Sequence, residues 1–303
     1  MPLILGLNVT MISISTVQHL RIPFSFNLLP IFLFALAINT NDLSWSAVLL
    51  MFISWHLFIY PSMNAYNSYF DKDEESIGGL KHPPKTTKQL YYYAIIFEII
   101  GIALAALVDM KIALLVFICV IISKAYSHPG VRLKKYPILG WLTVAFFQGY
   151  FVFITSYMAM HGANWVELGQ LTIQIPAILT SFMLFGSYPM TQIYQHVEDA
   201  KRGDLTISRK LGISGTFHFT LVAFTCAMMG YCSYFYYFQT PFITLIYILT
   251  MLPILYYFLH WYLKVRSDIT MADFEHTMRL NTLSAFCLNS FFVGMFFFIN
   301  TAT

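Results

Sequence analysis

Charged residues are scarce in this chain. Only 10% of its 303 residues are Asp, Glu, Lys or Arg, against about 25% in soluble domains, while 58% are hydrophobic. A water-soluble fold of this size could not bury so much apolar surface, so a soluble globular protein is excluded. The net charge of +3 gives no indication of nucleic-acid binding. The lipid bilayer is therefore the predicted solvent.

Cysteine is also rare, and its spacing shows no pairs. Cys119, Cys226, Cys232 and Cys287 all fall in apolar segments, which argues against a disulfide framework or a zinc site and favours packing roles. The first twenty residues lack a basic amino-terminal region and a small-residue cleavage site, so a removable signal peptide is not predicted. This stretch could form an interfacial helix. Long hydrophilic segments are missing, so residues 1–303 are predicted to form one membrane domain.

Several uncharged windows of about 20 residues are long enough to cross a hydrocarbon core of ~30 Å. They predict an all-α, polytopic membrane bundle of about nine transmembrane helices. If the even-numbered connections share one side with the amino terminus, only Lys111 of the 17 basic residues lies opposite. That asymmetry assigns the basic side to the cytoplasm, as in a bacterial-type inner membrane. The predicted spans are 22–39, 45–70, 89–108, 110–127, 137–159, 170–194, 214–237, 241–263 and 280–299.

The end of the second predicted span carries oxygen-bearing side chains. The sequence reads Asn67-Ser-Tyr-Phe-Asp71-Lys-Asp-Glu-Glu75, and the spacing of four predicts that Asn67, Asp71 and Glu75 share one helical face. Such oxygens suit Mg²⁺, which takes one or two carboxylates, water and substrate phosphate oxygens. The alternative is a solvated helix end whose acids pair with Lys72 and Lys81.

A second oxygen-rich stripe ends the sixth predicted span. It contains Gln192, Gln195 and Asp199 and is followed by Lys201 and Arg202. The lysine ammonium could bind a diphosphate as a point charge, and the arginine guanidinium could bind it with two parallel hydrogen bonds. Taken alone, the stripe also fits a helix end with a mixed-charge loop. Because both polar ends leave apolar spans on the same side, they could face one another and present two metal positions to one diphosphate.

Together the two stripes resemble those of the UbiA superfamily of intramembrane prenyltransferases. The pattern is Asn67-x₃-Asp71-x₃-acid, then a second acidic stripe followed by Gly203-x-x-Thr206 and Leu211-Gly212. Residues 124–140 are similar to that family's connection between its fourth and fifth helices, and the resemblance covers roughly residues 18–300. It implies a bundle around a central cavity, two aspartate-rich motifs that bind Mg²⁺ and an isoprenyl diphosphate, and a lateral opening for lipid-like substrates.

By this resemblance, Asn67, Asp71 and Glu75 match the first motif, with glutamate where aspartate is usual. Gln195 and Asp199 match the two aspartates of the second motif, so glutamine removes one negative charge there. Glu198, the carboxylate just before Asp199, could partly compensate, or the second metal ion could bind weakly or not at all. The metal ligands implied are Asp71, Glu75, Gln195, Glu198 and Asp199.

The implied reaction breaks the allylic C–O bond of the diphosphate and lets a hydrophobic acceptor attack the carbocation. Asp71, Asp199 and Lys201 are the predicted catalytic residues, and Lys81, Lys201 and Arg202 the predicted leaving-group clamps. Arg132 and Lys135 are weaker candidates, because basic loop residues usually signal topology. Substrate binding is assigned to Asn67, Lys81, Arg132, Gln195, Arg202, Tyr126 and Tyr194.

Six side chains have two possible roles each. Tyr66 and Tyr69 could stabilise a cation through their rings or simply pack, as could Tyr126 and Tyr194. His196 could deprotonate an acceptor or be structural. Glu98 lies within the third span, where an isolated acid is either functional or protonated and bonded to a neighbouring helix.

Three functions fit the sequence. The first is prenyl transfer to a small aromatic or other lipid-soluble acceptor, and the second is a terpene cyclase of the same superfamily, for which the altered second motif leaves room. The third is a transporter or a non-catalytic lipid-binding protein. Absence of a convincing repeat and the position of both motifs at one face favour an enzyme over a transporter.

Overall fold

Helices follow one another through the described part of the chain, which in this computed structural model comprises residues 12–39, 41 and 43–302. Short helical turns at Ile22–Asn27, Leu133–Lys135, Trp165–Leu168, Ile193–Gln195 and Ile269–Met271 connect some of them. The main helices are α1 (Ile14–Leu20), α2 (Leu29–Ala37), α3 (Trp45–Asp71), α4 (Lys88–Ala106), α5 (Met110–Ser127), α6 (Pro137–His161), α7 (Leu171–Met190), α8 (His196–Lys201), α9 (Ile207–Phe238), α10 (Pro241–Ser267) and α11 (Phe274–Ala302).

The predicted all-α membrane bundle of about nine spans is confirmed. Within the described ranges, eight helices are long and apolar enough to cross a membrane, counting α7 with α8 as one. The ninth span is a bent pair, Ile14–Asn27 and Leu29–Ala37, whose axes differ by 41°. The protein is therefore an integral, multi-pass membrane protein. The last span is longer than predicted, since α11 begins at Phe274 and not near residue 280.

The amino-terminal end of the described chain is a short helix. Ser13 caps α1 by accepting a hydrogen bond from the backbone nitrogen of Thr16 at 3.2 Å, and Arg21 ends α1 with a left-handed φ of 47°. The stretch for which an interfacial helix was predicted contains the helix Ile14–Leu20 in its described part, while residues 1–11 lie outside the described residues.

Aromatic rings form the densest part of the core. Phe34 of α2 is fully buried and stacks on Phe292 of α11 with ring centroids 4.6 Å apart. Tyr231 of α9 packs on the same ring at 5.4 Å, and Phe153 of α6 at 5.5 Å. This cluster joins four spans, and Phe292 and Tyr231 also line the apolar part of the central cavity.

Two spans contain a π-helical segment, Ile53–Ile59 in α3 and Ala145–Phe151 in α6. In α3 the segment ends two residues before Pro61. Because proline has no backbone N–H, it cannot donate the hydrogen bond to the residue four positions earlier that an ordinary α-helix has. A wider turn changes the face that the following residues present. The end of α3 can therefore direct polar side chains into the bundle while its earlier part packs against apolar neighbours.

The π segment of α6 also touches the backbone of α7. A Cβ atom on Gly149 would lie 2.8 Å from the backbone nitrogen of Ser181 and 2.9 Å from its Cα. The Ser181 hydroxyl donates to the carbonyl of Ala145 at 2.8 Å and accepts from the backbone nitrogen of Tyr150 at 3.1 Å. Close approach of the two helices thus requires glycine at position 149.

We predict that Gly149→Ala lowers the free energy of unfolding by about 1–3 kcal/mol, because the added methyl group forces two helix backbones apart. Thermal unfolding of the detergent-solubilised protein would measure the loss. Gly294→Ala is the matched control, since a Cβ atom there meets no atom within 4 Å. Equal melting temperatures for the two variants would contradict the proposed close contact.

Candidate active site

A cavity of about 740 Å³ lies at the centre of the bundle. Its interior is lined by apolar and aromatic side chains from most of the long helices, including Phe147, Phe224, Met228 and Phe258. At one end, the lining changes to charged and amide side chains from the ends of α3 and α8 and the connections beyond them. This charged end is called the mouth below.

The first predicted motif reaches the mouth with a different set of residues from the one expected. Asn67 and Asp71 line the cavity, but α3 ends at Asp71 because Lys72 adopts a left-handed φ of 52°. That turn brings Asp73 to the cavity wall and leaves Glu75 exposed. The prediction that Glu75 shares a helical face with Asn67 and Asp71 is therefore wrong, and Asp73 takes its position.

The second predicted stripe is not one continuous helix, although its residues reach the cavity. Helix α7 ends at Met190, a short 3₁₀ turn covers Ile193–Gln195, and α8 follows. Gln195 and Asp199 both line the mouth. Gln192 is buried beside them, where its amide nitrogen donates to the Tyr188 hydroxyl at 2.8 Å.

Ion pairs connect the two acidic segments through the loop that follows α5. Arg132 donates to both carboxylate oxygens of Asp204, each at 2.7 Å, and its Nη2 lies 3.4 Å from Asp71. Lys134 bonds Asp71 and lies 3.8 Å from Asp204. Arg202 then donates to Asp199 at 2.8 Å. The ends of α3 and α8 are thus held at one mouth, as the sequence predicted.

Burial and charge shift the pKa values in this network. Burial alone would raise the pKa of the Asp204 carboxyl, but the hydrogen bond from Arg132 and the charges of Lys134, Arg132 and Arg202 outweigh it and hold that pKa below its usual range. Burial, followed by the negative charge of Asp71, raises the pKa of Asp73. An added cation near Asp73 would therefore stabilise its ionised form.

The predicted clamps divide into those at the cavity and those outside it. Arg202 lines the cavity, with its side chain 16% exposed. Lys201 pairs instead with Glu198 at 2.7 Å, and its side chain is 59% exposed. Neither residue lines the cavity. Lys81 pairs with Glu275 of α11 at the protein surface. Long lysine side chains can reach any carboxylate close to them, and spacing along the chain does not reveal which carboxylate that is.

The predicted tyrosines divide in the same way. Tyr126 and Tyr194 line the cavity, and Tyr126 shares a hydrogen bond with Tyr188. Tyr66 and Tyr69 pack instead against the Tyr91 ring of α4, at centroid distances of 6.1 and 5.2 Å. They belong to a small apolar cluster beside the cavity.

The other titratable candidates have structural partners. His196 lies 2.8 Å from the Ser208 hydroxyl and does not line the cavity. Glu98 is buried in α4 and pairs with Lys124 of the neighbouring helix α5 at 2.6 Å. Lys124 also lies over the Tyr66 ring, 5.4 Å from its centroid. Lys135 lies over the ring of Tyr136 at 4.9 Å.

Four residues at the mouth were missed by reading the sequence: Asp73, Lys134, Tyr188 and Asp204. Asp73 stands in the same acidic run as Asp71, yet helical spacing excluded it. Asp204 directly follows Gly203, whose positive φ of 75° allows the chain to turn back toward Arg132. The glycine was a usable signal, whereas the partner of Asp204 lies 72 residues away and could not be read from spacing.

The residues of the mouth are suited to a hard cation, although their carboxylates are now bonded to basic side chains. No group of three or more His, Cys, Asp or Glu side chains is arranged for a metal ion among the described residues. Asn67 offers a ligand, because its amide nitrogen donates to Ser127 at 2.9 Å and leaves its carbonyl oxygen free for the cavity. Carboxylate and amide oxygens at one mouth fit Mg²⁺ and do not fit a soft metal.

A membrane-spanning bundle with an apolar chamber and a charged mouth can accommodate an amphipathic molecule. The sequence then specifies the family. A sequence model of the UbiA prenyltransferase family matches residues 27–283, and the chain belongs to that family. The resemblance noted in the sequence is thereby confirmed.

Solved structures share the fold. UbiA homologs from Archaeoglobus fulgidus bound to GPP and Mg²⁺ and bound to DMAPP and Mg²⁺ are each 17% identical, with TM-scores of 0.64 and 0.63, and each match covers 93% of this chain and 99% of that one. The apo UbiA homolog from Aeropyrum pernix K1 is 15% identical, with a TM-score of 0.67 and coverage of 93% and 98%. Identity this low supports the fold alone. Comparison with curated protein sequences gives no significant match.

We predict that Asp204→Asn destabilises the protein by about 3 kcal/mol, because it removes the buried carboxylate that accepts both hydrogen bonds from Arg132 and leaves only Asp71 to offset two basic side chains. The carboxylate is 1% exposed, so water cannot replace it. The melting temperature in detergent would measure the loss. Glu74→Gln is the control, since Glu74 is an exposed acid in the connection after α3. A melting temperature equal to that of the parent would contradict a stabilising role for the ion pair.

Proposed function

We propose that this protein catalyses Mg²⁺-dependent transfer of an isoprenyl group from an isoprenyl diphosphate to a lipid-soluble, aromatic acceptor within the membrane. The observation that carries the proposal is the meeting of Asp71 and Asp199 at one charged mouth of an apolar chamber. The Archaeoglobus fulgidus homologs bound to GPP or DMAPP with Mg²⁺ support the same ligand class.

The side chains of the mouth would bind the diphosphate. Asn67, Asp71 and Asp73 would hold Mg²⁺, which when bound supplies Lewis-acid stabilisation of the leaving group. Arg202 and Lys134 line the cavity and would donate hydrogen bonds to the diphosphate oxygens. Asp199 keeps Arg202 in place through its bond of 2.8 Å.

The remaining predicted residues belong to the periphery of the proposed site. Gln195 and Tyr194 line the mouth and could contact the substrate, whereas Arg132 would position Asp71 and Lys134 through Asp204. Lys81 and Lys201 are partly exposed and would attract the anionic head as it approaches. Glu75 and Glu198, which do not line the cavity, are not part of the proposed first coordination shell.

The chemistry requires charge stabilisation at one end of the chamber and exclusion of water at the other. As the allylic C–O bond breaks, its electron pair passes to the diphosphate oxygen, where the basic side chains stabilise the developing charge. The acceptor then forms a bond to the allylic carbon and loses a proton. Rings such as Phe147 and Phe224 line the chamber, and their faces can stabilise the carbocation while keeping water away.

The orientation in the membrane is also part of the proposal. We infer that the mouth faces the cytoplasm of a bacterial-type inner membrane, and that residues 1–303 act as one membrane domain. The support is the distribution of basic residues, of which only Lys111 among the 17 falls in an odd-numbered connection. Contacts such as Arg132 with Asp204 join even-numbered connections at one end of the bundle.

We predict that Asp71→Asn and Asp199→Asn each reduce pyrophosphate release by about 100-fold or more, because each removes a charge that organises the mouth. The assay measures Mg²⁺-dependent release across a panel of prenyl diphosphates, with a hydrophobic aromatic acceptor present. Glu74→Gln should retain parental activity. Full activity in both Asp variants would refute the proposed site.

The same assay separates the other functions. Incubation with geranylgeranyl diphosphate and no acceptor should leave the substrate unchanged if the enzyme needs an acceptor. Formation of a cyclic hydrocarbon would instead identify a terpene cyclase. Substrate-dependent flux in vesicles without release of pyrophosphate would identify a transporter and overturn the enzymatic proposal.

The topology can be tested with cysteine variants. In a background without native cysteines, Ser267→Cys at the end of α10 should react with an impermeant thiol reagent only from the cytoplasmic side. Val166→Cys, in the connection between α6 and α7, is 86% exposed and should react only from the other side. The reverse labelling pattern would overturn the orientation.

A further inference from the structure

Arg202 occupies the space between the two acidic segments. Its Nη2 donates to Asp199 at 2.8 Å, its Nη1 bonds Asp73, and its Nε lies 3.5 Å from Asp204. The side chain lines the cavity and is 16% exposed. One guanidinium therefore connects three carboxylates from both segments, at the position where a cation bridging the two segments would lie.

Both side-chain oxygens of Asp199 in the second acidic segment already accept hydrogen bonds, which leaves few oxygens for a metal ion. One oxygen of Asp199 accepts from Arg202, and the other accepts from the Thr206 hydroxyl at 3.2 Å. Gln195 donates to the carbonyl of Ser76 through its amide nitrogen at 3.3 Å, so the segment adds only one neutral carbonyl oxygen at this position. A metal ion at Asp199 would have to displace a guanidinium that cannot lose its proton and is hydrogen-bonded to two carboxylates.

The first acidic segment differs in the partners of its carboxylates. Asp71 bonds Lys134 and lies at the longer distance of 3.4 Å from Arg132. An ammonium on a flexible stem can move to a diphosphate oxygen when a divalent cation arrives. Asn67 leaves its carbonyl oxygen free. Asp73, whose side chain is 5% exposed at the same wall, accepts from Arg202 with Oδ1 only, and its Oδ2 has no hydrogen-bond partner among the described residues. These oxygens suit one Mg²⁺ that keeps water and substrate ligands.

We propose that this chain binds one divalent cation per site, held by Asp71, Asn67 and Asp73, and that Arg202 supplies the positive charge of a second metal ion at Asp199. The inference rests on the proposed function, because it assumes a diphosphate at this mouth. It explains the neutral Gln195: with a permanent cation already bonded to Asp199, a second carboxylate for a metal is not needed. Arg202 then contacts the diphosphate directly, which makes it a catalytic residue.

The number of bound ions tests the proposal without any turnover. The full chain in detergent is titrated with Mn²⁺ in the presence of geranyl thiodiphosphate, an unreactive substrate analogue, and bound Mn²⁺ is counted by electron paramagnetic resonance. We expect one Mn²⁺ per chain and no Mn–Mn coupling. Two coupled ions would overturn the inference and leave the proposed function intact. Failure to bind any Mn²⁺ would overturn both, since the metal-dependent reaction would then have no metal.

Variants test the role assigned to Arg202. Gln195→Asp alone should still bind one Mn²⁺, because Arg202 remains at Asp199. Gln195→Asp combined with Arg202→Gln should bind two, since the guanidinium at position 202 is removed and a carboxylate is added at position 195. Arg266→Gln, an exposed change at the end of α10, is the control and should bind one.

If the double variant does not fold, Gln195→Asp with Arg202→Lys replaces it, because lysine keeps the charge but bonds fewer carboxylates at once. That variant should bind a second Mn²⁺ at concentrations where Gln195→Asp alone still binds one. One Mn²⁺ in every folded variant would overturn the assignment to Arg202.

Discussion

The pairing of Arg132 with Asp204 is the interaction on which the mouth of the chamber depends. Both side chains lie at the end of an apolar bundle, where an unpaired charge would be far more costly than at a water-exposed surface. The bidentate geometry satisfies both oxygens of Asp204, and the remaining donors of this basic loop then reach Asp71. Three connections, distant in sequence, are thereby fixed at one place, and the position of each acidic segment follows from a contact made by another.

Helix termination makes this arrangement possible. A continuous helix points its side chains around its axis, whereas the chain here stops α3 at Asp71 and α7 at Met190, just where the polar residues are needed. The left-handed Lys72 and the 3₁₀ turn at Ile193–Gln195 redirect the backbone, so that residues close in sequence reach the cavity from two directions. Arg21, another left-handed residue, donates to Gly78 at 3.0 Å and holds the loop after α3 over the mouth.

These same breaks limit what the sequence can predict. The nine spans and the shared end of both motifs follow from hydropathy and charge, which the bilayer constrains strongly along the whole chain. Glu75 was assigned to the site because helical spacing was extended through Lys72, whose left-handed conformation ends the helix. Asp204 joins the site through its hydrogen bonds with Arg132, which lies in another connection. Lys201 pairs with the nearby Glu198 and does not reach the cavity. Local rules predicted the elements, and tertiary contacts decided which side chains of each element reach the mouth.

The chamber divides recognition into two physically separate tasks. Under the proposed function, charge-assisted hydrogen bonds at the mouth would act on the diphosphate, which all isoprenyl diphosphates share, and would not distinguish one prenyl chain from another. The interior offers apolar contact, which depends on volume and shape and includes the rings of Phe292 and Tyr231. Interior side chains can therefore change in size while the ion pairs at the mouth stay satisfied. Hydrophobic packing tolerates substitutions that a buried ion-pair network does not, so a fold shared at 15–17% identity is compatible with wide variation of the interior side chains.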